Sequence, residues 1–153
     1  MNKIDNFRGK YAFLSNYYNS PISEYLEDGT IITYPTVEHA FQAAKTTDKK
    51  MRQTISYCTA PGDAKRIGRH VSLRNDWNEI KTAVMLTYIR EKFKDPVLRA
   101  KLLATGDAYL EEGNTWGDRI WGTVNGEGEN CLGKILMQVR EEARQGKLPI
   151  YTN

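Results

Sequence analysis

Apolar residues recur at helical spacing through much of the chain. Val37, Ala40, Phe41 and Ala44 follow the i, i+3, i+4, i+7 rhythm of one buried helix face. Pro35-Thr36 precedes them, so Thr36 is a candidate N-cap, and Glu38 falls in the first turn, where the helix dipole favours an acid. A second helix is expected from Asp48 to about Tyr57, and a short third from Pro61-Gly62-Asp63 to Gly68. The clearest periodic run covers residues 76–93. There Trp77, Ile80, Val84 and Tyr88 form one stripe, widened by Leu86, Ile89 and Phe93. Asp95-Pro96 reads as an N-cap and first-turn pair for the next helix, which Thr105-Gly106 closes. A last helix carries Leu132, Ile135, Leu136 and Val139 inward, with Asn130 expected as its cap, Gly146 at its end and Pro149 beyond.

Strand patterns are sparse. Tyr25-Leu26, a Glu27-Asp28-Gly29 turn and the β-branched run Thr30 to Tyr34 predict a hairpin. Tyr109-Leu110 is a further short candidate. The first 30 residues show no helical period, and residues 113–130 form a long loop punctuated by glycines. Long structureless segments are uncommon in compact domains unless they are functional, so these two are the first places to look for a site. The expected fold is mainly α with a few short β-strands, in one compact multihelical domain over residues 1–153.

Composition narrows the function classes. With 40% hydrophobic and 27% charged residues, the chain fits a globular domain and not a disordered segment. A net charge of +3 is too small to mark a nucleic-acid binder by bulk electrostatics. Two cysteines and two histidines, with no Cys-x-x-Cys, argue against a metal site, and no cofactor motif is present. No run approaches the roughly 20 apolar residues of a membrane span, and residues 1–6 lack a signal-peptide core. The expectation is a cytoplasmic protein with free thiols, no membrane partner and an oligomeric state left open. Nine Tyr and three Trp are many for so polar a chain, and such rings serve cores or stack bases and sugars.

Candidate chemistry begins with Glu38, Gln42 and Lys45, which fall at i, i+4, i+7 on one helix face. They read either as a solvated polar face or as a site at the margin of a buried stripe. In the second case, a desolvated Lys45 would be a nucleophile and Glu38 a general acid or base. His39 reads as a structural hydrogen-bonder. Lys65, Arg66, Arg69 and His70 form a basic cluster that is either a solvated helix end or a phosphate contact. Asp76, Trp77 and Lys81 fit a helix start, its apolar stripe and a residue one turn on. Asp118-Arg119-Ile120-Trp121-Gly122 feeds the capped start of the last helix, where free N–H groups could bind an anion. Neither a Walker loop nor a dinucleotide fingerprint nor a nucleophile elbow is present.

These residues, in order, resemble the NADAR domain family, also called YbiA-like. The matching pieces are Phe13-Leu14-Ser15-Asn16-Tyr17 with Pro21-Ile22, and Thr36 through Lys45. They continue with Gly68-Arg69, Arg74-Asn75-Asp76-Trp77 with Lys81 and Met85, and Lys92-Phe93. The last are Leu102 to Gly106, Leu110 with Glu112, Asp118 to Gly122, Gly128-Glu129-Asn130 with Leu132-Gly133, and Met137 with Arg140. The resemblance implies a compact, mainly helical fold and an N-glycosidase. One branch hydrolyses a riboflavin-linked ribosylamino-pyrimidine phosphate, and another removes ADP-ribose from modified guanine in nucleic acid. It further implies Lys45 as the attacking amine, with Glu38 and Asp118 as the acid/base carboxylates. Substrate contacts would come from Phe13, Ser15, Asn16, Tyr17, Gln42, Arg69, Asp76, Trp77, Lys81, Glu112, Trp121, Gly122 and Asn130. The implied partner is an ADP-ribose or ribosyl-phosphate substrate, free or on ADP-ribosylated nucleic acid. A non-catalytic ADP-ribose or nucleotide-binding module, and a partner-binding helical domain, are the competing classes. Trp116-Gly117 lies just before the matched Asp118 and has no assigned role.

Overall fold

The computed structural model describes residues 2–151. In chain order the elements are β1 (Lys3–Ile4), a 3-10 helix (Gly9–Leu14), β2 (Ile22–Tyr25), β3 (Ile31–Tyr34), α1 (Val37–Ala43), α2 (Lys49–Ser56), α3 (Pro61–Gly68), α4 (Trp77–Lys92), α5 (Pro96–Ala104), β4 (Tyr109–Leu110) and α6 (Cys131–Arg144). The fold is therefore mainly helical with a few short strands, as the hydrophobic pattern predicts. Among the described residues no helix is long and apolar enough to cross a membrane. Contacts sort the chain into two units. One is the continuous segment Asn16–Tyr88, and the other joins the segment through Ser15 to the segment from Ile89 onward.

In the Asn16–Tyr88 unit, β2 and β3 form an antiparallel hairpin with Ile22 opposite Tyr34 and Tyr25 opposite Ile31. The turn uses the predicted Asp-Gly pair: Asp28 Oδ1 accepts from Thr30 N at 2.9 Å, and Gly29 takes φ +85°. The first strand starts three residues earlier than the pattern suggests, because Ile22 and Ser23 find partners in Tyr34 and Thr33. A core of Ile32, Tyr34, Ala40, Ala43, Ile55 and Ala64 unites the hairpin with α1, α2 and α3. Tyr34 is fully buried, and its hydroxyl donates to Glu24 Oε1 at 2.7 Å. Glu24 Oε2 in turn accepts from Arg52 Nη1 at 2.7 Å, so the one polar tip in this core is satisfied.

The helix starts follow the local signals. Thr36 caps α1 by accepting from His39 N, Asp48 caps α2 by accepting from Lys50 N and Met51 N, and Asp95 caps α5 by accepting from Val97 N and Leu98 N. One helix end departs from the expectation. α1 stops at Ala43, so Lys45 lies beyond its C-cap, Ala44. The cause is a tightening of the last turn: Lys45 N donates to Gln42 O and Thr46 N to Ala43 O, each at 3.2 Å, an i to i−3 pattern that ends the helix.

In the second unit, β1 pairs in parallel with β4, Lys3 opposite Tyr109 and Ile4 opposite Leu110. α6 packs on α5 and β4. Arg140, buried on α6, donates from Nη1 to Thr105 Oγ1 and Ala108 O, both at 2.9 Å, and fixes the α5–β4 connection. Asn130 precedes α6 but does not cap it, contrary to the expectation. Its backbone is left-handed at φ +53°, and its side chain turns to β4 instead. There Oδ1 accepts from Glu112 N at 2.9 Å, and Nδ2 donates to Leu110 O at 2.9 Å.

Candidate active site

The candidate residues fall into two sets, one in each unit. In the Asn16–Tyr88 unit every residue of α1 is buried, Glu38 and Gln42 included. The polar face expected at the margin of the stripe is inside the protein, which removes the solvated-face reading. Gln42 Nε2 donates to Glu38 Oε2 at 3.2 Å, and Glu38 N donates to the Asn16 carbonyl at 3.1 Å. The carboxylate is thus held from its own helix, and the segment Asn16-Tyr17 is anchored to the helix start. Gln42 reaches this position because Gly68 of α3 presses against its amide. A Cβ at Gly68 would lie 2.0 Å from Gln42 Oε1. That oxygen and Asn16 Oδ1 are buried and accept no hydrogen bond among the described residues. Two buried acceptors without a hydrogen bond, on residues that both bond to Glu38, are a costly arrangement, and such costs concentrate where function requires them.

Lys45 lies half-buried in the turn after α1. Burial lowers its pKa from the usual lysine value, Glu38 opposes that shift, and Lys65 and Arg69 reinforce it. An amine with less need to stay protonated is a better nucleophile, and a carboxylate in its field can take its proton. His39, on the same helix, is fully buried with both ring nitrogens engaged. Nδ1 pairs with Thr36 Oγ1 at 2.8 Å and Nε2 donates to Cys58 O at 2.9 Å, a structural brace between α1 and the end of α2. Trp77 is buried against Phe41, ring centroids 5.0 Å apart. Asp76 is clasped by Arg74 through two bonds, Nε to Oδ1 at 2.6 Å and Nη2 to Oδ2 at 3.2 Å, which lowers its pKa. Tyr17 is exposed, and Lys81 is half-buried on the first turns of α4.

The second unit carries Phe13, Ser15, Glu112, Asp118, Trp121, Gly122 and Asn130. Phe13 is buried at the end of the 3-10 helix. Asp118 Oδ1 accepts from Ile120 N at 3.0 Å and Trp121 N at 2.9 Å, so one oxygen of this carboxylate folds its own loop. Asn114, buried and absent from the sequence-based candidates, pins the same loop by donating to Asp118 O at 2.8 Å and accepting from Asp118 N at 3.0 Å. Gly122 sits directly on Glu112, where a Cβ would lie 2.0 Å from the Glu112 carbonyl. Trp116 is exposed. The anion site expected at the start of α6 is largely closed. Cys131 N donates to Ile120 O at 3.0 Å and Leu132 N to Trp121 O at 2.9 Å, so loop carbonyls consume the N–H groups that an anion would need.

Lys92 is the functional candidate that sequence reasoning passed over. At the end of α4 it is 2% exposed, and its Nζ donates to Ser15 O at 2.8 Å. Burial pulls its pKa down to about 7, with Glu112 opposing the shift. It therefore bonds one candidate residue, Ser15, and lies within the field of another, Glu112. Its place near the polar end of an amphipathic helix gave no sign of burial.

A buried carboxylate in the field of a half-buried amine is a candidate for acid–base or nucleophilic chemistry, and comparison with known proteins gives the class of the chain. The family model described as NADAR domain matches residues 5–144. The chain is 43% identical over 136 residues to N-glycosidase YbiA of Escherichia coli (strain K12), covering 86% of this chain and 81% of that protein. It is 37% identical over 139 residues to Riboflavin biosynthesis protein VVA0006 of Vibrio vulnificus (strain YJ016), covering 88% of this chain and 36% of that protein. The NMR structure of E. coli YbiA superposes with a TM-score of 0.79 at 39% identity, covering 100% of this chain and 92% of that one. The chain is an enzyme, a hydrolase of the N-glycosidase type. The chain belongs to the NADAR family.

Proposed function

We propose that this enzyme hydrolyses the C–N glycosidic bond of an ADP-ribosyl or ribosyl-phosphate substrate, and that it releases ADP-ribose from ADP-ribosylated guanine. The observation that carries the reading is the pairing of Lys45, its pKa lowered by burial, with the buried carboxylate of Glu38. Glu38 takes a proton from the Lys45 ammonium, and the free amine attacks the anomeric carbon. The bond to the base nitrogen breaks, and the base leaves with its electron pair and the proton that Glu38 returns. The amine-bound sugar opens to an iminium, which water hydrolyses to free the sugar and regenerate Lys45. Gln42 positions Glu38 for this role by donating to its carboxylate at 3.2 Å.

A second substrate, a ribosylamino-pyrimidine phosphate, is supported by likeness to a relative named for riboflavin biosynthesis. Incubation with each substrate, with release of base followed by chromatography, separates the two. Borohydride added during turnover should trap a sugar adduct on a Lys45-containing peptide, and Glu38→Gln should abolish release while keeping the melting temperature. Unaltered turnover in both Lys45→Ala and Glu38→Gln would refute the assignment of these residues.

A further inference from the structure

We propose that the polar cleft between the β1 segment and the loops that follow β4 docks single-stranded nucleic acid, with one base in the cleft and its neighbour stacked on Trp116. The inference goes beyond the proposed reaction and does not rest on it, since none of its residues belongs to the Glu38–Lys45 set.

The cleft has a volume of about 310 Å3, at the small end of the roughly 300–1,000 Å3 of ligand sites. Lys3, Asp5 and Arg8 reach it from the β1 segment. Glu111, Asn114 and Thr123, all buried, reach it from the segment after β4. The two segments are locked together. Glu111 Oε1 accepts from Lys3 Nζ at 3.1 Å, and its Oε2 accepts from the Thr123 hydroxyl. A Cβ at Gly113 would lie 2.2 Å from the Asp5 carbonyl, so glycine is what lets the chains meet this closely. Lys3 and Glu111 are thus committed to each other. Asp5 and Arg8 are exposed and free to meet a ligand, since Arg8 makes no capping bond and no ion pair among the described residues.

That pair of opposite charges selects the ligand chemistry. A lone phosphate would meet repulsion from Asp5 and Glu111, and an apolar group would strand every polar atom of the cleft. A nucleotide supplies both complements: an amino-bearing base edge donates to the Asp5 carboxylate, and the backbone phosphate accepts from the Arg8 guanidinium. Thr115 also lines the cleft, and Trp116 is the next residue. Of the three tryptophans, Trp77 is buried and Trp121 half-buried, whereas Trp116 is 59% exposed. Its loop is pinned. The Asn114 side chain donates to Asp118 O at 2.8 Å and accepts from Asp118 N at 3.0 Å, which closes a five-residue loop with Trp116 at its middle, and Gly117 turns it at φ +88°. A preset indole loses little freedom on stacking a base. Duplex bases have both faces covered, so this mode requires a single strand. The small net charge of the chain agrees with it, because stacking and one cation carry the binding in place of a basic face.

The test is fluorescence anisotropy on the full chain with labelled, unmodified ten-nucleotide strands. A deoxycytidine strand should bind at least tenfold tighter than an abasic strand of the same length. It should also bind tighter than a deoxythymidine strand, which offers a carbonyl in place of the amino group, and Asp5→Ala should remove that difference. Trp116→Ala should weaken binding about tenfold, and Trp116→Phe should restore most of it. Arg8→Gln should flatten the plot of log affinity against log salt by about 0.7, the share of one single-strand phosphate. Lys50→Gln, on an exposed lysine of α2, should change nothing. Trp116, Arg8 and Asp5 are exposed, so their variants should keep the wild-type melting temperature. Absence of strand binding, equal affinity for the abasic strand or for a duplex, equal affinity for the two pyrimidine strands, or wild-type affinity in Trp116→Ala overturns the docking site, even if the chain cleaves N-glycosides normally. Base-dependent strand binding without cleavage of any N-glycoside upholds the docking site and refutes the proposed reaction.

Discussion

Replacing Lys92 by Met converts a buried titrating amine into an apolar chain of similar length, and the consequence depends on pH. In the unfolded chain the lysine loses its proton near its ordinary 10.5, and in the fold near 7. Between those values the folded protein binds fewer protons than the unfolded one, so the wild type gains stability as pH rises. The gain is fully present above the unfolded pKa and is lost as pH falls through the folded one. Each pH unit inside the window contributes up to about 1.4 kcal/mol, or about 3–4 kcal/mol between pH 7 and pH 10. The amine is fully enclosed, so solvent screening takes little from that figure. The Met variant lacks this rise. Urea unfolding of both proteins from pH 7 to 10 measures it, and their difference cancels the tyrosines and other groups they share. The gap should move by about 3–4 kcal/mol in favour of wild type across the range. Two stability curves that run parallel would refute the reasoning, because the amine would then titrate alike in the folded and unfolded chains.

Two further expectations concern α1. His39→Ala removes a fully buried ring and strands both the Thr36 hydroxyl and the Cys58 carbonyl, so it should cost about 3 kcal/mol in chemical denaturation; a loss below about 0.5 kcal/mol would contradict the bracing role. Gly68→Ala places a methyl 2.0 Å from Gln42 Oε1 and must push the amide away from Glu38. Without that donor the carboxylate is no longer held in place, so kcat/KM should fall at least tenfold. An unchanged kcat/KM would mean that Gln42 does not position Glu38.

The parts of the fold legible in the sequence are those written in short-range chemistry. Thr36, Asp48 and Asp95 announce helix starts because a side chain binds backbone N–H groups two or three residues away. Asp28-Gly29 announces the hairpin for the same kind of reason. The triad Glu38, Gln42, Lys45 was visible as a spacing, yet its burial was not, because α3 arrives from more than twenty residues away to cover Gln42 with Gly68. Asn130 has the composition of a cap, but the competing partner for its side chain, Glu112, is distant in sequence and prevails. The start of α6 failed as an anion site for a similar reason: the preceding loop folds back and spends its own carbonyls there. Lys92 shows the limit most plainly, since a lysine at a helix end is ordinarily solvated and only tertiary packing encloses it.

The parallel pairing of β1 with β4 has a bearing on how the chain is made. The Asn16–Tyr88 unit is continuous, so all of its partners have been synthesised once Tyr88 has. β1 is made before any of that unit, yet Lys3 and Ile4 must wait for Tyr109 and Leu110. At about 5–20 residues per second, translation imposes a delay of about 5–20 s during which this first strand has no edge to join. The order of assembly on the ribosome is thereby inverted for these elements: β1 is made before the Asn16–Tyr88 unit but finds its partner strand only after that unit is complete.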